Sequence, residues 1–367
     1  MGTLRTLLAV SVLITHSSPI FGVTLLGGDT AVTCFYVISG FLITLILHEK
    51  YQDLKAFYIN RGLRIYVPYW TALVLSVILF LLIRSPSHDP DLQYARAFDA
   101  GDLLLLLWAT ISNLTLVGID LIRYVVIEPT QSIVFPSFVH GVAGNGHNVL
   151  FVPQAWTLAI ELQFYLVAPF LVRLRVSVLA VLTVVLLALQ ITITGRMHAE
   201  GLVFDNTAIF VLDLVYFLFG ALAYHGYRTW RAAGIRESRK RWISGIMLIV
   251  GIVMVFAGAG VLRTLPNDDY NYFYLGMAVV LPFAFYLTKD SKWDSRVGDY
   301  SYLIYVFHFG VSALLVAVGI TLSSLGLWVL IVTVAISTVF LRYVDAPLQR
   351  VRRRIAARSP KPELTVA

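Results

Sequence analysis

Eleven apolar runs, each long enough or nearly long enough to cross a bilayer, limit what this chain can fold into: 4–24, 30–48, 65–83, 101–118, 156–172, 176–194, 207–227, 242–263, 271–288, 300–319 and 325–343. A helix needs about 20 apolar residues to span a hydrocarbon core of roughly 30 Å, and inside it every backbone polar group must be satisfied internally. The expected fold is all-α, a polytopic transmembrane helical bundle. Composition agrees: 58% of the 367 residues are hydrophobic and 13% charged, with a mean hydropathy of +0.79, whereas a soluble domain carries about 25% charged residues. The 22 Phe, 19 Tyr and 7 Trp suit interfacial aromatic belts. No polar stretch is long enough for a second soluble domain with its own core. Cys34 is the single cysteine, which excludes an intrachain disulfide and CxxC metal motifs, and it reads as a small apolar helix residue. The first apolar run lacks a small-residue cleavage site and reads as a retained helix.

The surplus of 28 Lys+Arg over 21 Asp+Glu belongs on cytoplasmic loops and gives no pointer to nucleic acid. Lys50, Lys55, Arg61 and Arg64, then Arg173 and Arg175, the cluster Arg228 to Arg241, Lys289 to Arg296 and the tail Arg350 to Lys361 all favour that side. Eleven crossings cannot place all of them there; ten can. The run 101–118 is short and carries Asn113, so it is expected to be re-entrant or interfacial; a second embedded piece within 119–139 would restore the same parity. About ten spans follow, with both termini cytoplasmic, 84–155 outside, a membrane domain over 1–348 and a basic cytoplasmic tail over 349–367. The stretch 119–155, with Pro129, Pro136, Pro153 and GVAGNGHN at 141–148, reads as a long loop, and long loops are often functional. No internal repeat is visible.

Ionisable groups within membrane helices are costly and mark sites. Arg5 and His16 lie eleven positions apart, about three turns, so they share one helix face with about 16 Å between them along the axis. Ser39 and Gly40 fall within FYVISGFLIT at 35–44, and Glu161 within AWTLAIELQFYLVAPF at 155–170. Ser301, Tyr305 and His308 follow at i, i+4 and i+7 on one face. Each has a structural reading beside the functional one: Arg5 snorkelling to headgroups, His16, Glu161 and His308 in interhelical hydrogen bonds, and Ser39 as a small packing residue. A metal site from His16, His308 and Glu161 has no ligand spacing behind it, and none is expected. Arg61 and Arg64, at i and i+3, are either an ordinary anchor or, with Arg5 at the same membrane face, a clamp for the phosphates of a polyanionic donor.

Taken together, these segments resemble the acyltransferase-3 family of integral membrane acyltransferases. The resemblance covers nearly the whole chain: LRTLLAVSVLITH at 4–16, FYVISGFLIT at 35–44, FYINRGLRIYVPYW at 57–70, WTLAIELQFYLVAPF at 156–170, YSYLIYVFH at 300–308 and VDAP at 344–347. It implies transfer of an acyl group, most often acetyl, from cytoplasmic acyl-CoA to a hydroxyl of a surface or secreted carbohydrate or another hydroxylated acceptor, in a bacterial inner membrane. It maps the family's essential Arg and His onto Arg5 and His16, its cytoplasmic arginine motif onto Arg61 and Arg64, and its Trp-to-Glu motif onto Trp156 and Glu161. Asn60 stands where relatives often have a basic residue, and Pro68 lies one place later than the common spacing. Many relatives add a soluble hydrolase-like domain, which this sequence does not carry after Ala367; acceptor binding is expected to use the membrane domain, its outer loops or a partner protein.

The mechanism this implies places the donor phosphates near Arg5, Arg61 and Arg64 and the thioester near His16. His16 then acts as general base or as an acyl carrier. Glu161 is left to orient the acceptor or tune an imidazole, and Trp156, Ser39, Tyr305 and His308 are expected to contact substrate. Membrane lipid surrounds the site, and no metal takes part. The rival reading is a transporter or flippase that moves a lipid-linked glycan without chemistry.

Overall fold

The computed structural model describes residues 1–51, 53–83, 94, 98–99, 101–124, 149–199, 209–262 and 270–357. All eleven apolar runs form helices: α1 (Gly2–Thr15), α2 (Gly28–Glu49), α3 (Leu54–Ile83), α4 (Leu103–Thr115), α5 (Trp156–Leu171), α6 (Val176–Ala199), α7 (Phe210–Ala232), α8 (Glu237–Leu262), α9 (Asn271–Thr288), α10 (Lys292–Ala317) and α11 (Leu322–Phe340). A π-helical turn, Leu341–Asp345, joins α11 to a final helix α12 (Ala346–Ala357), so the boundary read at 348/349 falls within α12. Among the described residues there is no strand, only an isolated bridge between Ile20 and Val23. Eight of these helices are long and apolar enough to cross a membrane. Their outer faces carry exposed Val181, Val184 and Val185 on α6 and Ile249, Val250 and Val253 on α8, as lipid-facing surface requires.

The core lies where α1, α2, α7 and α10 meet, around Leu4, Leu8, Val37, Phe41, Phe217 and Leu303. Helices α2 and α7 touch backbone to backbone. A Cβ on Gly40 would stand 1.9 Å from the carbonyl oxygen of Phe217, and one on Gly220 the same distance from that of Val37. Small residues at such a crossing permit the close packing that substitutes for hydrophobic drive inside lipid.

Two runs differ from their sequence reading in instructive ways. The first, read as 4–24, is helical only to Thr15. Ser17, Ser18 and Pro19 follow, then a turn at Phe21 and Gly22 with φ of 52° and 76°; proline and left-handed backbone end a helix whatever the average hydropathy. His16 is thus the residue that caps α1, at its end rather than deep within it.

The second is 101–118. Helix α4 has 13 residues, about 20 Å long and short of a bilayer core. Its last carbonyls are met by the middle of α3: Tyr69 donates to the Asn113 carbonyl at 2.6 Å, Trp70 Nε1 to that of Leu114 at 2.8 Å and Tyr66 to that of Thr115 at 2.6 Å. The Asn113 side chain donates to the Val149 carbonyl and accepts from Phe151 N, tying the returning chain to the helix end. A helix terminus needs such partners for its orphan carbonyls, and α4 ends here against the middle of α3. Pro153 opens a short 3₁₀ turn before α5; Pro129, Pro136 and GVAGNGHN lie outside the described residues.

The crossing generates a test. Gly220→Ala is expected to cost on the order of 1–3 kcal/mol by overpacking, lowering the melting midpoint of detergent-solubilised protein. Gly245→Ala, with no atom within 4 Å of the added carbon, should leave it unchanged or raise it.

Candidate active site

The site begins where α1 is pinned. Asp294, in the first turn of α10 and 6% exposed, accepts from the backbone N–H of Gly2 at 2.7 Å and of Thr3 at 2.9 Å, and from the Thr3 hydroxyl at 2.8 Å. The amino group of Met1 joins the same carboxylate at 2.6 Å. A carboxylate supplied by another helix thus caps the first turn of α1, meeting its orphan N–H groups and its positive end. Thr6 adds a hydrogen bond to the Val297 carbonyl at 2.8 Å. Glycine at 2 and 298 lets the two backbones meet, since a Cβ on Gly2 would fall 1.7 Å from the Asp294 carbonyl oxygen.

Arg5 then projects into two adjoining cavities. The first, of about 210 Å³, is a basic vestibule: Arg5, Lys50, Arg61, Arg64, Arg352 and Arg353 line it, together with two carboxylates, Asp299 and Asp345. The Nε atoms of Arg61 and Arg352 are buried without a hydrogen-bond partner. Asn60 lines the vestibule too, its side-chain amide donating to the Ala56 carbonyl. Asp345, from VDAP, sits on the π-helical turn and accepts from Gln349 Nε2 at 2.6 Å. The second cavity, of about 170 Å³, shares Arg5, Arg61, Arg64 and Tyr302 with the vestibule. One wall is apolar, from Val32, Phe35, Ile38, Leu42, Ile43 and Ile46 of α2. Opposite stands Glu161, whose carboxylate accepts from Ser39 at 2.7 Å and from Tyr165 at 2.5 Å.

The chamber ends at Thr157 and Tyr305, whose hydroxyls lie 2.6 Å apart; Tyr305 also donates to the Gln154 carbonyl at 2.8 Å. Behind Tyr305 two imidazoles meet edge to edge, with ring centroids 5.2 Å apart and 21° between planes: His308, fully buried, and His16, exposed at the end of α1. Their Nε2 and Nδ1 atoms are 3.1 Å apart.

Of the residues singled out from sequence, Arg5, Arg61, Arg64, Ser39, Glu161, Ser301 and Tyr305 line these cavities; His16, His308 and Trp156 do not. Trp156 opens α5, half-buried. The partners of Glu161 are the two hydroxyls, with no imidazole among them. Sequence reading missed Lys50, Arg352 and Arg353 in the vestibule and Tyr165, Tyr302 and Thr157 in the chamber. Tyr165 had a usable signal, one helical turn beyond Glu161. Among the described residues no three His, Cys, Asp or Glu side chains converge as a metal-binding group.

A family model described as an acyltransferase domain matches residues 2–343. The chain belongs to the acyltransferase-3 family. As a member of that family it is also similar to O-acetyltransferase OatA of Staphylococcus aureus, strains NCTC 8325 and COL. Identity is 25% over 339 residues, covering 84% of this chain and 49% of the relative. Another Staphylococcus aureus relative, from strain COL, is 23% identical over 391 residues, covering 95% of this chain and 56% of its own length. The chain thus spans about half the length of the curated relatives it matches. No solved structure matches it.

The cap at Asp294 generates a test. Asp294→Ala is expected to lower stability by about 2 kcal/mol, since it strips partners from buried N–H groups, and Asp294→Asn by less. Thermal melts of the purified protein would read both.

Proposed function

We propose that this acyltransferase-3 chain moves an acyl group, acetyl in the favoured case, from acyl-CoA to a hydroxyl of a surface or secreted carbohydrate in a bacterial inner membrane. The observation that carries the reading is the union of a six-cation vestibule with an apolar chamber through shared Arg5, Arg61 and Arg64. That sequence of surfaces suits a ligand with a polyphosphate head and a long, weakly polar arm. Guanidinium groups pair with phosphate by charge-assisted hydrogen bonds, and the two buried Nε donors without partners are groups that an anion satisfies. Lys50, Arg352 and Arg353 join Arg5, Arg61 and Arg64 in holding the head, at the cytoplasmic side. Glu161, held by Ser39 and Tyr165, faces the arm in the chamber and orients it there.

The donor supplies a thioester carbonyl activated for attack. His16 takes the proton of the acceptor hydroxyl as general base, and the proton passes on to the leaving thiolate; with His16 as acyl carrier the same imidazole attacks first and transfer takes two steps. The exposed face of His16 is open to an acceptor arriving from the other side of the bundle from the vestibule. The chamber closes at Tyr305, so this reading requires that side chain to turn aside from Thr157 and Gln154 when the donor arm is in place. The names of the Staphylococcus aureus relatives favour acetyl as the group transferred.

Two measurements test the proposal. Membranes containing the protein and its cellular acceptor should transfer label from labelled acetyl-CoA into carbohydrate, and His16→Ala should lower that rate by about a hundredfold or more; undiminished labelling by the variant would remove His16 from the chemistry. Combined Arg5→Ala, Arg61→Ala and Arg64→Ala should weaken acetyl-CoA binding by at least about tenfold, roughly 1.4 kcal/mol. Unchanged binding, measured by calorimetry on the purified variant, would overturn the phosphate reading.

A further inference from the structure

We infer that His308 is a positioning residue that fixes the tautomer of His16, leaving the proton on His16 Nδ1 and the lone pair on His16 Nε2. This inference rests on the proposed role of His16 as base or acyl carrier, and it assigns the group through which that imidazole is prepared. The argument starts from His308. Its Nδ1 lies 2.8 Å from the carbonyl oxygen of Tyr305 and 3.2 Å from that of Ile304. A carbonyl oxygen only accepts, so Nδ1 of His308 carries the hydrogen. His308 is fully buried in the middle of α10, and its ring nitrogens meet this carbonyl pair and another imidazole, a setting that favours the neutral ring. A neutral ring protonated at Nδ1 has a bare Nε2, which is an acceptor. The 3.1 Å contact between His308 Nε2 and His16 Nδ1 then needs its hydrogen from His16. With Nδ1 so occupied, neutral His16 has its lone pair on Nε2. That is the atom a general base or a nucleophile uses.

Ring packing keeps this arrangement in place. His16 meets His308 edge to edge, with 21° between the ring planes, and packs against the ring of Phe309 with centroids 6.0 Å apart, so rotation about its Cβ–Cγ bond is restricted. In the transfer step the hydroxyl proton goes to His16 Nε2, the oxygen–acyl bond forms, the carbon–sulfur bond breaks, and the thiolate takes the proton back. His308 exchanges no proton. It accepts from His16 Nδ1 throughout, and that hydrogen bond strengthens while His16 is cationic, because charge-assisted bonds are about twice as strong as neutral ones. The device is the orienting partner of a catalytic triad built from a neutral ring instead of a carboxylate. In a buried site a neutral acceptor avoids the desolvation that an extra anion incurs.

The test measures initial rates of label transfer from labelled acetyl-CoA in membranes that contain the cellular acceptor, across acetyl-CoA concentrations and normalised to protein content. His308→Leu should lower the maximal rate by about a hundredfold or more, the scale seen when an orienting group is lost, with the KM for acetyl-CoA within twofold of the parent. His308→Gln, whose side-chain carbonyl can accept from His16 Nδ1, should recover most of that loss. If His308→Leu does not accumulate in membranes, His308→Met takes its place in the comparison with His308→Gln. A maximal rate within threefold of the parent in the apolar variant, or an equal loss in the Gln variant, would overturn the inference. The underlying reading fails separately: activity in His16→Ala removes His16 from the chemistry, whereas an inactive His16→Ala beside an active His308→Leu removes only the positioning role.

Discussion

The seam between α1 and α10 sets the geometry on which everything else depends. Helix α1 is 14 residues, about 21 Å, too short to cross a bilayer unaided. Both of its ends therefore need partners inside the bundle, and α10 supplies them. At one end Asp294 takes up the backbone donors of Gly2 and Thr3. At the other, His308 meets His16. Glycines at 2 and 298 bring the backbones so close that the helices cannot slide by a residue without a clash. With the register fixed, Arg5 faces the vestibule and His16 stands about three turns away at the opposite end.

Charge is segregated along that axis. The six cations and two carboxylates gather in the vestibule, where charges share one polar cavity and each other's fields. Next comes the chamber, where one carboxylate is held by two hydroxyls against an apolar wall. At the far end most of the polar groups are neutral, namely Thr157, Tyr305, Gln154 and the paired imidazoles, with the carboxylate of Asp29 near enough to act on His16. Burying charge is expensive and burying a hydrogen-bonded neutral group is far less so, so the order of the groups follows the cost of placing them. On the proposed function it also separates the task of holding an anionic head from the task of handling a proton.

How much of this could be read from the sequence depends on the range of the interaction. Hydropathy found the eleven apolar helices α1 to α11, because backbone satisfaction in lipid is a local requirement, but not the basic α12, whose sequence carries no apolar run. It overran the end of α1, where the polar Ser17, Ser18 and Pro19 were outvoted by apolar neighbours on both sides. The demotion of 101–118 agrees with the short α4, and Asn113, read only as a polar blemish, proves to be the side chain that ties the returning chain to it. Spacing on one helix found Ser301, Tyr305 and His308. A charge within an apolar run found Glu161, and the i, i+3 pair at a helix entrance found Arg61 and Arg64; the resemblance then mapped these three onto family motifs. Lys50, Arg352 and Arg353 were visible only as cytoplasmic charge, since a loop rule cannot tell a cation facing lipid headgroups from one lining a cavity. The link from His16 to His308 spans 292 residues, and no local pattern predicts it.

Tyr305 joins the two halves of the site by two different atoms. Its hydroxyl closes the chamber on Thr157 and Gln154, and its backbone carbonyl anchors His308. Side-chain rotation about χ1 moves the first and leaves the second where the helix holds it. On the proposed mechanism, a Tyr305 side chain that turns aside gives up its ring contact with His308, at 6.1 Å between centroids, but leaves the main-chain anchor of that imidazole where the helix holds it.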